Sequence, residues 1–259
     1  AEGALLDLEE LEDTRWQGLV RLRLLVRAHA AHMDFDAALL AATEAAGLFR
    51  ELGERQAEGV AKFVEGSVQL WGSEFDEAQR SVAEAQQIFQ ELGDMKLVVH
   101  ALDLLSQVAL ARNRAEEAAR LAHDAHVLCQ LEGDKFMEAA ILLLVARAHF
   151  AVLSKHTGDW GDAGPPYEFT SSLTKAAKAA TVARRIAEKM RYGEVEASAA
   201  CILAQAKLVS GHLDEALKEA DEAVRLYRSL QDELGEGHAL AAKAQVLSAL
   251  GKTAEATEA

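Results

Sequence analysis

Proline is almost missing from this chain of 259 residues; only Pro165 and Pro166 occur, side by side. With a single proline site, almost nothing removes a backbone donor or breaks a helix. Aromatic residues make up only 5% of the chain, and no run alternates β-branched with polar residues. That pattern excludes sheet as the main architecture, and the dominance of alanine, leucine, glutamate and valine predicts helix. Bases are scarce: 27 Lys and Arg stand against 42 Asp and Glu, for a net charge of -15. A deficit of this size excludes nucleic acid as the main partner and disfavours an anionic membrane surface.

The longest uninterrupted apolar run, Ala139 to Ala146, ends at Arg147 and is too short to span a bilayer. The first dozen residues are acidic, unlike a signal or transit peptide. Because the chain opens on Ala1, a processed form or a fragment is expected. Cys129 and Cys201 lie in apolar helical stretches and read as small buried hydrophobes. They fit a reducing compartment, so the expected location is intracellular, in the cytoplasm or an organelle interior after loss of a targeting segment. The single asparagine, Asn113, is not in a glycosylation sequon.

What is present is a repeat. Phe35-Asp36-Ala37-Ala38 returns as Phe75-Asp76-Glu77-Ala78 and as Ala115-Glu116-Glu117-Ala118, each 40 residues on. After a longer gap it returns as Leu213-Asp214-Glu215-Ala216 and, 40 residues later, as Thr253-Ala254-Glu255-Ala256. Helix endings repeat as well: Leu48 to Glu54 matches Ile88 to Asp94, with weaker copies at Leu131 to Asp134 and Leu230 to Asp232. A fixed period of this length is the signature of a solenoid.

Each unit divides into a first helix, A, and a second helix, B. In the second unit Val60, Phe63, Val64, Val68 and Trp71 form the apolar stripe of A, and Gly72-Ser73 marks the break. Helix B starts near Asp76, which suits a helix N-terminus through capping and the macrodipole. Gly53, Gly93 and Gly133 stand where B must stop. Alanine is repeated where two helices must approach closely, at 38, 78, 118 and 216, and again seven residues on at 45, 85, 125 and 223.

Counting back twelve from Ala78 reaches Gly66, and the small–twelve–alanine–seven–alanine spacing resembles the tetratricopeptide repeat. The unit exceeds that family's roughly 34 residues by about six and lacks its closing proline. In this it is similar to the Leu-Gly-Asn-repeat scaffolds, the kinesin light chains and some bacterial regulators. The resemblance implies an all-α fold, a right-handed α-solenoid of antiparallel helix pairs. The units are residues 15–54, 55–94, 95–134, 135–192, 193–232 and a partial one at 233–259, with 1–14 as the end of a preceding helix. Neither end shows a clear polar cap. Either further repeats or a neighbouring subunit cover the ends, or helix ends fray there.

The resemblance further implies that helix A faces line a partner-binding groove. Its positions would be Arg23 and Arg27; Phe63, Ser67 and Leu70; Asp103, Gln107 and Leu110; Arg147 and Phe150; Gln205 and Leu208. The polar members could hold a peptide or a helix by its backbone amides. Arg27 and Arg147 could grip carboxylates, which points to an acidic ligand.

The fourth unit is 18 residues longer than its neighbours. Its insertion, residues 154–171, holds both prolines and the aromatics Trp160, Tyr167 and Phe169. It is expected to be a loop on which this protein or a partner packs. The helix after it concentrates Lys175, Lys178, Arg184, Arg185, Lys189 and Arg191, with Glu188 as its only acid. It could meet an acidic partner, or it could be a solvated outer face.

Recognisable chemistry is missing. There is no phosphate loop, dinucleotide fingerprint or nucleophile elbow. His123, His126 and Cys129 are spaced like metal ligands, but Cys129 aligns with the core positions Phe49 and Phe89, so the set should not converge. His29 and His149 share one repeat position and read as packing residues. No metal, no cofactor and no catalytic residue is expected. The expected role is a non-enzymatic scaffold or adaptor for proteins, with a permanent structural subunit of a large assembly as the alternative.

Overall fold

The computed structural model describes residues 13–155, 164–252 and 256–257. Among the described residues it is helical throughout, with no strand. The first helix, α1, runs through Thr14–Val20, a π-helical stretch Arg21–Leu25 and Val26–Ala31. Then follow α2 (Phe35–Glu51), α3 (Arg55–Trp71), α4 (Phe75–Leu92) and α5 (Met95–Ala111). The remainder are α6 (Ala115–Glu132), α7 (Lys135–Ser154), α8 (Tyr167–Met190), α9 (Gly193–Val209), α10 (Leu213–Leu230) and α11 (Glu233–Ala249). Odd-numbered helices are the A helices of the repeat and even-numbered ones the B helices.

The chain folds as two compact units, Ala1–Arg114 and Ala115–Ala259. In each, every helix packs on the next in sequence, through a short turn except between α7 and α8. The A helices also touch one another: α3 lies beside α5 in the first unit, and α7 beside α9 and α9 beside α11 in the second.

The turns obey the same period. Met33, Ser73, Asn113 and Gly211 have positive φ between A and B. Gly53, Gly93 and Gly133, with φ of 71°, 69° and 73°, stop the B helices as expected. Arg191 and Gln231 take the same left-handed conformation without glycine. Asp13, Asp34, Asp94, Asp134 and Asp232 accept a bond from the N–H three residues on, at 2.9–3.2 Å, and so cap helix starts. Asp76 does not cap α4. The N-cap is Glu74, and Asp76 lies in the first turn, ion-paired with Arg112.

The repeated alanines are the contact points between helices. Ala38, Ala78, Ala118 and Ala216 are fully buried, as are Ala45, Ala85, Ala125 and Ala223. Gly66 shows why the position must be small: a Cβ there would sit 2.4 Å from Val82 Cγ2 and 3.2 Å from the Ala78 carbonyl. Large side chains fill the space between these contacts. Phe49 packs over Gly18, and Phe89 over Gly59. Gly18 precedes Phe49 by 31 residues and Gly59 precedes Phe89 by 30. The π-helical stretch of α1 lies between the first pair and absorbs the extra residue, as π-bulges do.

Joints between repeats carry a buried acid absent from the sequence expectations. Glu58, at the start of α3, is 2% exposed and accepts bonds from Arg50 Nε at 2.8 Å and Arg55 Nη1 at 2.7 Å. Burial alone would raise its carboxyl, but the two guanidiniums more than offset this and hold it below its ordinary value. The pattern recurs eight residues apart at later joints, as Gln130 to Glu138 and as Arg228 to Glu236.

The expected loop 154–171 is shorter than its composition suggested. Helix α7 runs to Ser154 and α8 starts at Tyr167, so Tyr167 and Phe169 are helical. Pro166 sets the boundary, since proline suits the position just before a first turn. Helix α7 is also longer than the run Ala139 to Ala146. An 18-residue window within it has a mean hydropathy of 1.9, enough in length and composition to cross a membrane. More than half of that stretch is buried against protein, and Arg147 sits within it, which is the pattern of a core helix.

Urea unfolding should separate these contributions. Gly66→Val forces the α3–α4 contact apart and should cost about 1–3 kcal/mol. Gly47→Ala, where an added Cβ meets nothing within 4 Å, should stabilise by about 0.5–1 kcal/mol. Arg50→Ala with Arg55→Ala strands the buried Glu58 carboxylate and should lower the urea midpoint. Adding Glu58→Met to that pair should restore most of the loss.

Candidate partner-binding surface

Because A helices lie side by side, each presents one flank to its A neighbours and to solvent. In the second unit the positions expected on this flank are Leu143, Arg147 and Phe150 on α7, Cys201, Gln205 and Leu208 on α9, and Gln245 on α11. Arg147 and Gln245 are exposed, and the others are half-buried. In the first unit the positions expected there are Arg23 and Arg27 on α1, Phe63, Ser67 and Leu70 on α3, and Asp103, Gln107 and Leu110 on α5. Both arginines are exposed and the rest half-buried. None of these residues is in the closed core, which is what a recognition surface requires.

Their hydrogen-bonding capacity is uneven. Arg27 and Arg147 form no ion pair with a described residue. Ser67 departs from the expected ladder, because its hydroxyl donates to the Phe63 carbonyl one turn back, at 2.9 Å. That bond is local to α3 and leaves Ser67 as an acceptor only. Cys201 is a poor nucleophile, since burial pushes its thiol up to about 11.

The six bases after the insertion do not act as one patch. Arg184 is committed to Glu188 at 3.0 Å and to Glu219 at 2.7 Å. Arg185 and Lys189 are exposed, and Arg191 closes α8. Lys175 and Lys178 turn instead toward α6 and α7. Of the insertion aromatics, Tyr167 is 80% exposed and Phe169 half-buried, while Trp160 lies outside the described residues.

Cys129 is buried, as its alignment with Phe49 and Phe89 requires. His123 and His126 point away from it, and no group of three metal-ligating side chains forms among the described residues. His149, expected with His29 to be a packing residue, lines one cavity with His123 and His126 of α6. Burial, then Lys175, then His123 hold His149 down at about 4, so it is neutral near pH 7.

No family model matches the chain, and no curated protein does. Solved structures match it closely in shape. One is a signal transduction ATPase with numerous domains that carries a tetratricopeptide repeat sensor, from Pyrococcus horikoshii. The match covers 97% of this chain and 36% of that one, with a TM-score of 0.75 at 15% identity. The fold is that of the tetratricopeptide repeat. Aspartyl phosphate phosphatase F from Bacillus subtilis matches over 98% of this chain and 62% of its own, with a TM-score of 0.76 at 14% identity. A kinesin light chain from Podospora anserina with nearly identical repeats matches over 83% of this chain and 97% of its own, with a TM-score of 0.64 at 12% identity. The chain thus spans 36% and 62% of the first two proteins, less than two thirds of each, and at these identities the likeness is one of fold.

Neutral, half-buried His149 has a consequence for stability. Its folded value lies below the unfolded 6.5, so the unfolded chain binds the extra proton. Its contribution is constant above pH 6.5 and should be lost as pH falls from 6.5 toward 4. Urea midpoints measured across that window should fall less steeply in His149→Gln than in the wild type. Equal slopes would show that His149 titrates normally.

Proposed function

We propose that this chain is a non-enzymatic scaffold that binds an extended or helical segment of another protein along its A-helix flanks. The observation that carries this reading is that each unit has an exposed arginine without an ion-pair partner among the described residues, Arg27 in the first and Arg147 in the second, on a helix that also carries or adjoins half-buried apolar residues. Phe63, Leu70, Leu110, Phe150 and Leu208 offer shallow apolar seats, and Gln107 and Gln205 offer both donors and acceptors to a ligand backbone. In a protein of net charge -15, exposed arginines left unneutralised favour a ligand bearing carboxylates. Among the described residues no metal-ligating cluster supports a catalytic role, and a phosphatase of the same fold does not supply one.

A second reading, a permanent subunit of a larger assembly, draws on α1. Trp16 and Leu24 are 57% and 50% exposed, and with Val20 they form an apolar stripe at four-residue spacing. A stripe of this kind suits a lateral neighbour.

Selection from a displayed peptide library tests the first reading. Enriched peptides should be acidic, and Arg27→Glu with Arg147→Glu should weaken them about tenfold or more, as hot-spot residues do. Lys189→Glu on α8 should leave affinity unchanged. Failure to enrich any peptide, or affinity indifferent to both arginines, would refute the flank as the site and leave the assembly reading.

A further inference from the structure

The second unit contains a cavity of about 650 Å³ that the A-helix flank does not explain. A helices pack side by side in this unit, whereas α6 and α8 flank α7 without a packed interface of their own. The gap they leave is floored by α7 through Leu142 and Val145 and walled by Val182 of α8, all apolar. Arg120 of α6 and Lys175 and Lys178 of α8 stand exposed around it. None of the three forms an ion pair with a described residue, and no carboxylate lines the cavity.

That absence is unexpected on composition alone. Acids outnumber bases 42 to 27, so a base with no role should find a carboxylate nearby. Neighbouring bases do: Lys155 pairs with Glu116, Lys135 with Glu138 and Arg184 with Glu219. His149 Nδ1 is buried beside the cavity without a hydrogen-bond partner, and His126 Nε2 turns to Glu138 Oε1 at 3.6 Å, outside the lining. Three uncommitted cations around an apolar floor, with no carboxylate among the lining residues, mark a place for acceptor oxygens.

We infer that the cavity between α6, α7 and α8 binds a small amphipathic anion, its carboxylate or phosphate head held by Lys175, Lys178 and Arg120 and its apolar body laid on Leu142, Val145 and Val182. The volume lies in the range of small-molecule sites, and a mostly apolar wall with a few convergent polar groups is their usual make-up. The site is independent of the peptide reading, because Leu142, Val145 and His149 occupy a different flank of α7 from Leu143, Arg147 and Phe150.

Titration calorimetry on the full chain tests this with decanoate, decyl phosphate, decylamine and inorganic phosphate. Decanoate or decyl phosphate should bind, and the tighter of the two identifies the head group. Decylamine should not bind, and inorganic phosphate should bind at least tenfold more weakly than decyl phosphate, for want of an apolar body. Lys175→Glu with Lys178→Glu should weaken the anion about tenfold or more. Both side chains are exposed, so the fold should survive, which circular dichroism checks. Ala119→Trp, which fills the cavity and leaves every charge in place, should abolish binding. Equal binding of decylamine, equal binding of inorganic phosphate, or unchanged affinity in the lysine variant would each overturn the proposal, as would a wild type that binds neither decanoate nor decyl phosphate.

Discussion

Everything in this structure depends on how closely two helices can approach at one small residue. Where Gly66 meets Val82 and the Ala78 backbone, no room remains for even a methyl group. Repeating that contact every 40 residues fixes the distance within each pair, and the larger side chains then fill what is left. Alanine and glycine contribute little burial themselves. Their part is geometric, and the apolar area of Phe49, Phe89, Val68 and Val82 supplies the driving force.

From that constraint follow two different surfaces. Helices A touch one another, α3 and α5 in the first unit and α7, α9 and α11 in the second, so their outer flanks adjoin there. Helices B stand further apart, so gaps open between them, as between α6 and α8. One chain therefore carries a shallow polar flank suited to an extended ligand and a deeper apolar recess suited to a compact one. The two differ in electrostatics as well: the flank mixes arginine with glutamine, and the recess gathers lysine, arginine and neutral imidazole.

Features that repeat were legible in the sequence. The helix pairs, the alanine contacts, the left-handed glycines and the burial of Cys129 all follow from register, because one unit's environment predicts the next. Features that do not repeat were not legible. The start of α8 was masked by a glycine- and aromatic-rich composition that reads as loop throughout, although Pro166 marks the boundary. The buried Glu58 looked like one more surface acid, since nothing local distinguishes it from its exposed neighbours. The recess was hidden because His123 and His149 lie on different helices of different repeats. A signal was available: three histidines and three bases that the apolar pattern did not use.

The π-helical stretch in α1 has a consequence for how such a chain can change. In a fold made only of helices, one inserted residue rotates everything after it by roughly 100° and would turn the buried stripe outward. Confining the extra residue to Arg21–Leu25 leaves Gly18 on Phe49 and leaves Ala38 in its contact. Length variation is thus tolerated at two scales, single residues inside a helix and whole segments at a turn such as the one before α8. Neither disturbs the spacing of the joints, so an ancestral array can lengthen or shorten piecemeal while every neighbouring repeat keeps its place.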